Sequence, residues 1–191
     1  MKTRSILLAL ALVLISFSSC TKINDALTVK VPVDFTTDMQ VMDSTSGLKT
    51  SSKTYRFYAS ATLNPSTDAT VIKYKSKIKS ITANGISFTP SGLTGDVTVK
   101  NADLVIGNAS FTHTDGKQVS WYFSSLTLKN GVKVDLPNPL PFDGTFADIS
   151  TMLDDDQDIY IFWRGYQNTP VNPYNFSTTI NAEVLAYLLK Q

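Results

Sequence analysis

The densest concentration of chemically useful side chains in this chain is Asp154-Asp155-Asp156-Gln157-Asp158. Asp154, Asp156 and Asp158 have the alternate spacing that opens a calcium loop, in which oxygen ligands wrap a hard cation. The rest of such a loop is missing: Ile159 stands where the sixth position calls for Gly, and Gly165 where the twelfth calls for Glu. The plainer reading is a solvated turn before a strand, so no cofactor is expected, with calcium at these three aspartates as the alternative. Glycoside hydrolysis needs two carboxylates held at a set separation across a cleft, and neighbours in sequence do not supply that geometry. The one histidine, His113, lies two residues before Asp115-Gly116 and reads as a hairpin-surface side chain. A Ser–His–Asp arrangement would depend on it. One His and one Cys are too few for an ordinary zinc site. A hydrolase using Asp154–Asp158 or His113 is therefore the minor alternative to a chain that is not an enzyme.

A second group is aromatic. Tyr160, Phe162, Trp163, Tyr166, Tyr174 and Phe176 fall within a short span. Strand alternation places Tyr160, Phe162 and Arg164 on one face, and Ile159, Ile161 and Trp163 on the other. An exposed aromatic face with Asn and Gln nearby suits stacking on sugar rings or a protein interface. Tyr160, Phe162, Tyr166 and Tyr174 are thus the candidate ligand-binding residues; the bland alternative is a central strand whose second face is covered by a loop. Trp121-Tyr122-Phe123 poses the same question, and one of the three should point outward. Lys73, Lys75, Lys77 and Lys79 alternate, and on a strand would share a face. That pattern suits either contact with phosphate headgroups or an acidic polymer, or a charged outer face guarding an edge; the latter is favoured.

The elements that must position these groups read mostly as strands. Leu27–Phe35 alternates with period two, and Pro32 demotes it to an edge. Tyr55–Leu63 is a second strand with Tyr55, Phe57, Ala59 and Ala61 on one face. Asn64-Pro65 starts a turn, and Ala69–Lys75 has room for one or two helical turns. Lys77–Thr89 is a strand interrupted at Asn84-Gly85. Val97–Ile106, Ala109–Thr112 and Val119–Leu128 follow. Asp115-Gly116 and Asn130-Gly131 signal hairpins, the second leading into Val132–Leu136. Phe146–Leu153 has helical spacing. Ile159–Tyr166 is a strand. Tyr174–Leu189 fits either type, its Thr-rich start favouring strand. Fifteen Asp against a single Glu, Glu183, is a turn-rich bias. The expected fold is all-β: an antiparallel β-sandwich, Ig-like or jelly-roll-like, with one or two short helices.

The N-terminus decides more than the rest. Met1-Lys2-Thr3-Arg4 is a basic start, Ile6–Ile15 an unbroken apolar run, and Ser16-Phe17-Ser18-Ser19 leads into Cys20, the only cysteine. This is the pattern of a secretory signal, and the run falls short of the roughly 20 apolar residues that span a bilayer. With its cysteine at the exit site, the segment resembles the lipobox of bacterial lipoproteins, with Phe17 where Leu is usual. The resemblance covers residues 1–20 only. It implies that Cys20 is acylated and becomes the first residue of the mature protein. It also implies an outer-membrane anchor, since Thr21 replaces the Asp that often retains lipoproteins at the inner membrane. The domain plan is then a signal over 1–19, a lipidated Cys and tether over 20–25, and one domain over 26–191, similar in general look to small lipid-anchored sandwich proteins of bacterial envelopes.

Losing residues 1–19 removes Lys2 and Arg4, leaving 15 basic residues against 16 acidic ones, a net charge of −1. So balanced a domain gives no argument for nucleic acid or for electrostatic docking on anionic lipid. The expected function is a non-catalytic binding or assembly module on a lipid anchor, facing the periplasm or the cell exterior, with a glycan or protein partner. A structural envelope or fibre component that assembles by strand addition is the alternative.

Overall fold

The computed structural model describes residues 27–43, 54–108, 118–139, 144–155 and 157–188. His113, Asp115-Gly116, Ala109–Thr112, Asp156 and Cys20 lie outside them. Eight strands account for most of the described chain: β1 Thr28–Asp43, β2 Tyr55–Leu63, β3 Ile78–Ser91, β4 Val97–Gly107, β5 Gln118–Leu128, β6 Val134–Leu136, β7 Ile159–Gln167 and β8 Tyr174–Tyr187. Two short helices, α1 Ala69–Tyr74 and α2 Phe146–Asp154, join them. The protein is all-β and antiparallel.

The pairing follows one rule. β1 pairs with β8, β2 with β7, β3 with β6, and β4 with β5. The chain therefore behaves as one long two-stranded ribbon, folded back on itself at its middle and then rolled up. Rolling brings β8 beside β3, β7 beside β4, and the end of β1 beside β2, giving the order β5-β4-β7-β2-β1-β8-β3-β6. The two halves, 1-8-3-6 and 2-7-4-5, have jelly-roll strand order. They are not separate sheets. Met42↔Tyr58 and Asp43↔Phe57 link them into one curled sheet.

Trp163 on β7 sits where the halves meet. Its ring stacks on Phe176 of β8 at 5.0 Å between centroids, with Phe88 of β3 at 5.8 Å, Phe57 of β2 at 5.4 Å and Phe123 of β5 at 5.6 Å. Beside it, β4 carries one extra residue between Lys100 and Asp103 relative to β7. Asn101 takes a left-handed φ of 45° to make that bulge. The bulge drives Ala102 so close that a Cβ on Gly165 would lie 2.7 Å from the Ala102 Cα. Gly165 thus stands in a strand because nothing larger fits.

β6 reaches only Ile86–Phe88 of β3. α2 covers the edge upstream. Its start is fixed by a capping box between Thr145 and Asp148, and it buries Ile149, Met152 and Leu153. Its polar side accepts twice from β3. The Ile81 N–H reaches Asp154 Oδ1 at 2.5 Å, and the Ala83 N–H reaches Ser150 Oγ at 2.9 Å. Two ladder groups that would otherwise face solvent are capped, one way proteins protect a sheet edge.

Most expected elements are present, including Tyr174–Tyr187 as strand and the interruption at Asn84-Gly85 as a register shift within β3. Pro32 does lie on an open side, because β1 meets β2 only at its last two residues. Two expectations are corrected. Asn130-Gly131 does form a turn, with Gly131 at φ 69° and the Val132 N–H on Lys129 O, but not a hairpin. β5 and β6 on its two sides enter opposite halves, since each has a better-matched partner in β4 and β3. The four alternating lysines do not share a strand face. Lys73 is on α1, Lys75 is its C-cap, Lys77 is in the turn, and only Lys79 is on β3. Asp68, whose side chain accepts from Thr70 N and Val71 N, starts the helix that breaks the alternation.

Candidate functional site

The outer face of β2, β7, β4 and β5 collects Tyr58, Tyr122, Tyr160, Phe162 and Tyr166. Register places Tyr58, Arg164, Asp103 and Tyr122 side by side across all four strands. The parallel row beside it is Ser60, Phe162, Val105 and Ser120, and the row on the other side contains Arg56, Tyr166 and Lys100. Tyr58 and Tyr166 are about 40% exposed and Tyr122 is 64% exposed. Phe162, flanked by two serines and a valine, is nearly covered and packs on Tyr58 at 6.3 Å between ring centroids. Arg164 Nε lies 3.4 Å from Asp103 Oδ2, and the Tyr122 hydroxyl donates to Asn101 Oδ1 at 2.7 Å. With strands about 4.8 Å apart, Tyr58 and Tyr122 stand roughly 15 Å apart. The result is a platform: aromatic rings at its sides, small residues over Phe162, and a guanidinium and carboxylate in the middle.

Three of the four expected ligand residues, Tyr160, Phe162 and Tyr166, belong to this face. Tyr174 does not. On β8 the inner face takes Tyr174, Phe176, Thr178 and Ile180, so Tyr174 is buried on the opposite side of the sheet. Burial pushes its hydroxyl up to about 12, with the Trp163 side chain pulling weakly the other way. Tyr58 and Asp103 went unnoticed in the sequence because nothing local relates them to Arg164; only strand register does. Tyr122 answers the question posed by Trp121-Tyr122-Phe123, with Trp121 turned inward and its indole N–H donating to Pro137 O at 2.8 Å.

A second concavity of about 210 Å³ opens at one end of the domain, between the loop Gly92–Asp96 and the β7–β8 connection. Gln167 and Tyr174 line it. Gln167 Nε2 donates to the Thr169 and Pro170 carbonyls, while its Oε1 is buried without a partner among the described residues.

The aspartate cluster is divided by the fold. Asp154 turns toward β3 and accepts from Ile81, while Asp158 accepts from Asn64 Nδ2 at 2.9 Å. Among the described residues no three of His, Cys, Asp and Glu are grouped to hold a metal ion. Desolvation raises the Asp154 carboxyl above its usual 3.8, the Ile81 N–H opposes this, and Asp155 adds to it. A group with a raised folded pKa favours the fold fully below the unfolded value, and that contribution fades as pH rises through the folded value. Asp154→Asn keeps an acceptor for Ile81 and removes the charge. Thermal melts from acid to neutral pH are therefore expected to show the variant gaining on the wild type as pH rises. A difference independent of pH would mean that Asp154 ionises alike in both states.

No protein-family profile matches the chain, and no curated protein matches it. Among solved structures, chains from Desmodium yellow mottle tymovirus (12% identity, TM-score 0.33, covering 85% of this chain and 85% of that one) and turnip yellow mosaic virus are similar. Two turnip yellow mosaic virus structures give 12% and 13% identity with TM-scores of 0.35, one covering 85% of this chain and 98% of its match, the other 86% and 97%. Likeness at this level carries no inference about this chain.

Proposed function

We propose that this protein is a lipid-anchored module of the bacterial envelope that binds glycan, without catalysis, on the outer face of β2, β7, β4 and β5. The observation that carries the reading is the cross-strand row Tyr58–Arg164–Asp103–Tyr122 with Phe162 and Tyr166 beside it. Aromatic faces stack on the apolar faces of sugar rings, and the guanidinium, carboxylate and amide groups between them match ring hydroxyls in both donor and acceptor sense. The roughly 15 Å span admits a chain of several sugars rather than one. Because the platform is built on paired strands, it is preorganised and loses little entropy on binding. The anchor rests on the segment leading to Cys20, which resembles a lipobox.

Tyr58→Ala and Tyr166→Ala are each expected to weaken binding at least about tenfold, the effect of losing a central aromatic contact. Both side chains are half-exposed, so the melting temperature should change little. Calorimetric titration against a panel of soluble polysaccharides checks this. A panel that yields no ligand, or one whose ligand binds the Tyr58→Ala, Tyr166→Ala double variant as tightly as the wild type, would sink the reading.

A further inference from the structure

The near-zero net charge conceals a cationic pole, and the fold places that pole where the chain enters the domain. The Leu188 N–H donates to Leu27 O at 2.8 Å, and the Tyr187 N–H donates to Lys77 O at 2.8 Å. Lys77 Nζ donates to Leu188 O at 3.2 Å, and Lys79 Nζ lies over the Tyr187 ring. The first residues of β1, the last of β8 and the lysine segment before β3 therefore form one surface. Lys75 and Lys79 line one cleft and Lys77 bonds the end of β8, while Lys73 precedes them on α1, with no acidic residue between the four in sequence. Ile72 and Leu188, large apolar side chains 59% and 49% exposed, lie on the same end. A cleft of about 360 Å³ joins the two characters: Val71, Ile78, Ile81 and Leu153 line it, with Lys75 and Lys79 alongside. Asp154 also lines it and accepts from the Ile81 N–H, so the cleft holds two lysines against one carboxyl group.

We propose that this pole lies against an anionic phospholipid surface, its lysines on the headgroup phosphates and Ile72 and Leu188 at the interface. The proposal rests on the reading of Cys20 as lipidated. Seven residues separate Cys20 from Leu27, so the tether spans at most about 25 Å. β8 runs from Tyr174 to Tyr187, roughly 43 Å at about 3.3 Å per residue. The tether thus attaches at the Tyr187 end, and the Gly92–Asp96 loop lies at the opposite end of β8, beyond Ser91↔Asn175. Exposed apolar side chains ringed by lysines are the pattern of surfaces that rest in a bilayer interface. Each lysine removed should weaken the contact roughly fivefold, and salt should weaken it throughout.

The test uses the acylated full-length protein reconstituted into vesicles of phosphatidylcholine alone, or of phosphatidylcholine with phosphatidylglycerol. Ser76→Cys and Thr94→Cys variants each carry a fluorophore, and a spin-labelled headgroup lipid quenches it. The Ser76→Cys probe is expected to be quenched several-fold more than the Thr94→Cys probe in anionic vesicles. High salt, Lys73→Glu or Lys75→Glu should each reduce the difference toward the level seen in vesicles of phosphatidylcholine alone. Salt needs no folded variant, so a misfolded mutant does not spare the proposal. Retention on washed vesicles reads the anchor separately. Retained protein with equal quenching at both probes, or with quenching indifferent to salt and headgroup charge, overturns this proposal and leaves the anchor standing. Protein that washes off overturns the anchor and this proposal with it.

Discussion

Replacing Trp163 with alanine is expected to lower stability by about 3–5 kcal/mol, the range for truncating a fully buried large aromatic. For a domain of this size the melting temperature should fall by roughly 10 °C or more. The argument is positional. Trp163 has no exposed surface, and its ring touches Phe176 and Phe88 from one half of the sheet and Phe57 and Phe123 from the other. Removing it empties the place where the curled sheet closes on itself, and paired strands cannot collapse into the cavity without losing register. Trp163→Phe keeps an aromatic surface and deletes a buried indole N–H that acts on the Tyr174 hydroxyl without meeting it in a well-formed hydrogen bond. Removing a poorly paired buried donor offsets part of the lost packing. The phenylalanine variant should therefore lose less than half of what the alanine variant loses. Chemical denaturation of the three proteins decides the matter. Equal losses for both variants would mean that the indole's extra volume, rather than the aromatic stack, closes the core.

Replacing Cys20 with alanine is expected to move the protein from the membrane to the soluble fraction. Each buried methylene of an acyl chain contributes about 0.8 kcal/mol, and two chains hold a protein stably where one does not. Among the described residues no helix is long and apolar enough to cross a membrane. The lysines of the cationic pole add contact that salt weakens. Fractionation in high salt therefore separates the two contributions. The alanine variant could keep its uncut apolar segment, so the mass of the wild-type N-terminal peptide supplies a second readout. Acyl mass on Cys20 supports the anchor. A peptide beginning elsewhere, with an unmodified thiol, would replace the lipobox reading with an ordinary secretory signal.

Much of the fold is legible locally. Alternation over Tyr55–Leu63 and Ile159–Tyr166 specifies half-buried strands, because the backbone sends successive side chains to opposite faces. Helical spacing of Phe146, Ile149, Met152 and Leu153 specifies α2 for the same kind of reason at a different period. Even the ambiguous Tyr174–Leu189 resolves through local chemistry, since Thr178 and Thr179 suit a strand better than a helix. Where local signals failed, a competing local signal or a distant partner was responsible. Asp68 as an N-cap turned the lysine alternation into a helix and a turn, and Asn130-Gly131 turned the chain without pairing its flanks.

The candidate site was half legible. Alternation alone set Tyr160, Phe162 and Arg164 on one face of β7. It could not say whether that face is wet, because exposure depends on what packs above it. It said nothing of Tyr174, which the fold buries on the inner face of β8, since parity within one strand carries no information about parity in the next. By itself the sequence determined the strands, the turns, the segment that leads to Cys20, and which residues of each strand share a face. These depend on backbone sterics and on charge and apolar runs between near neighbours. The tertiary structure alone decided that Tyr58 stands beside Arg164, that Asp103 answers it, and that the lysines gather where the chain enters. Register and rolling join residues far apart in sequence, and hydrophobic burial, being non-directional, specifies that strands must pack without specifying which.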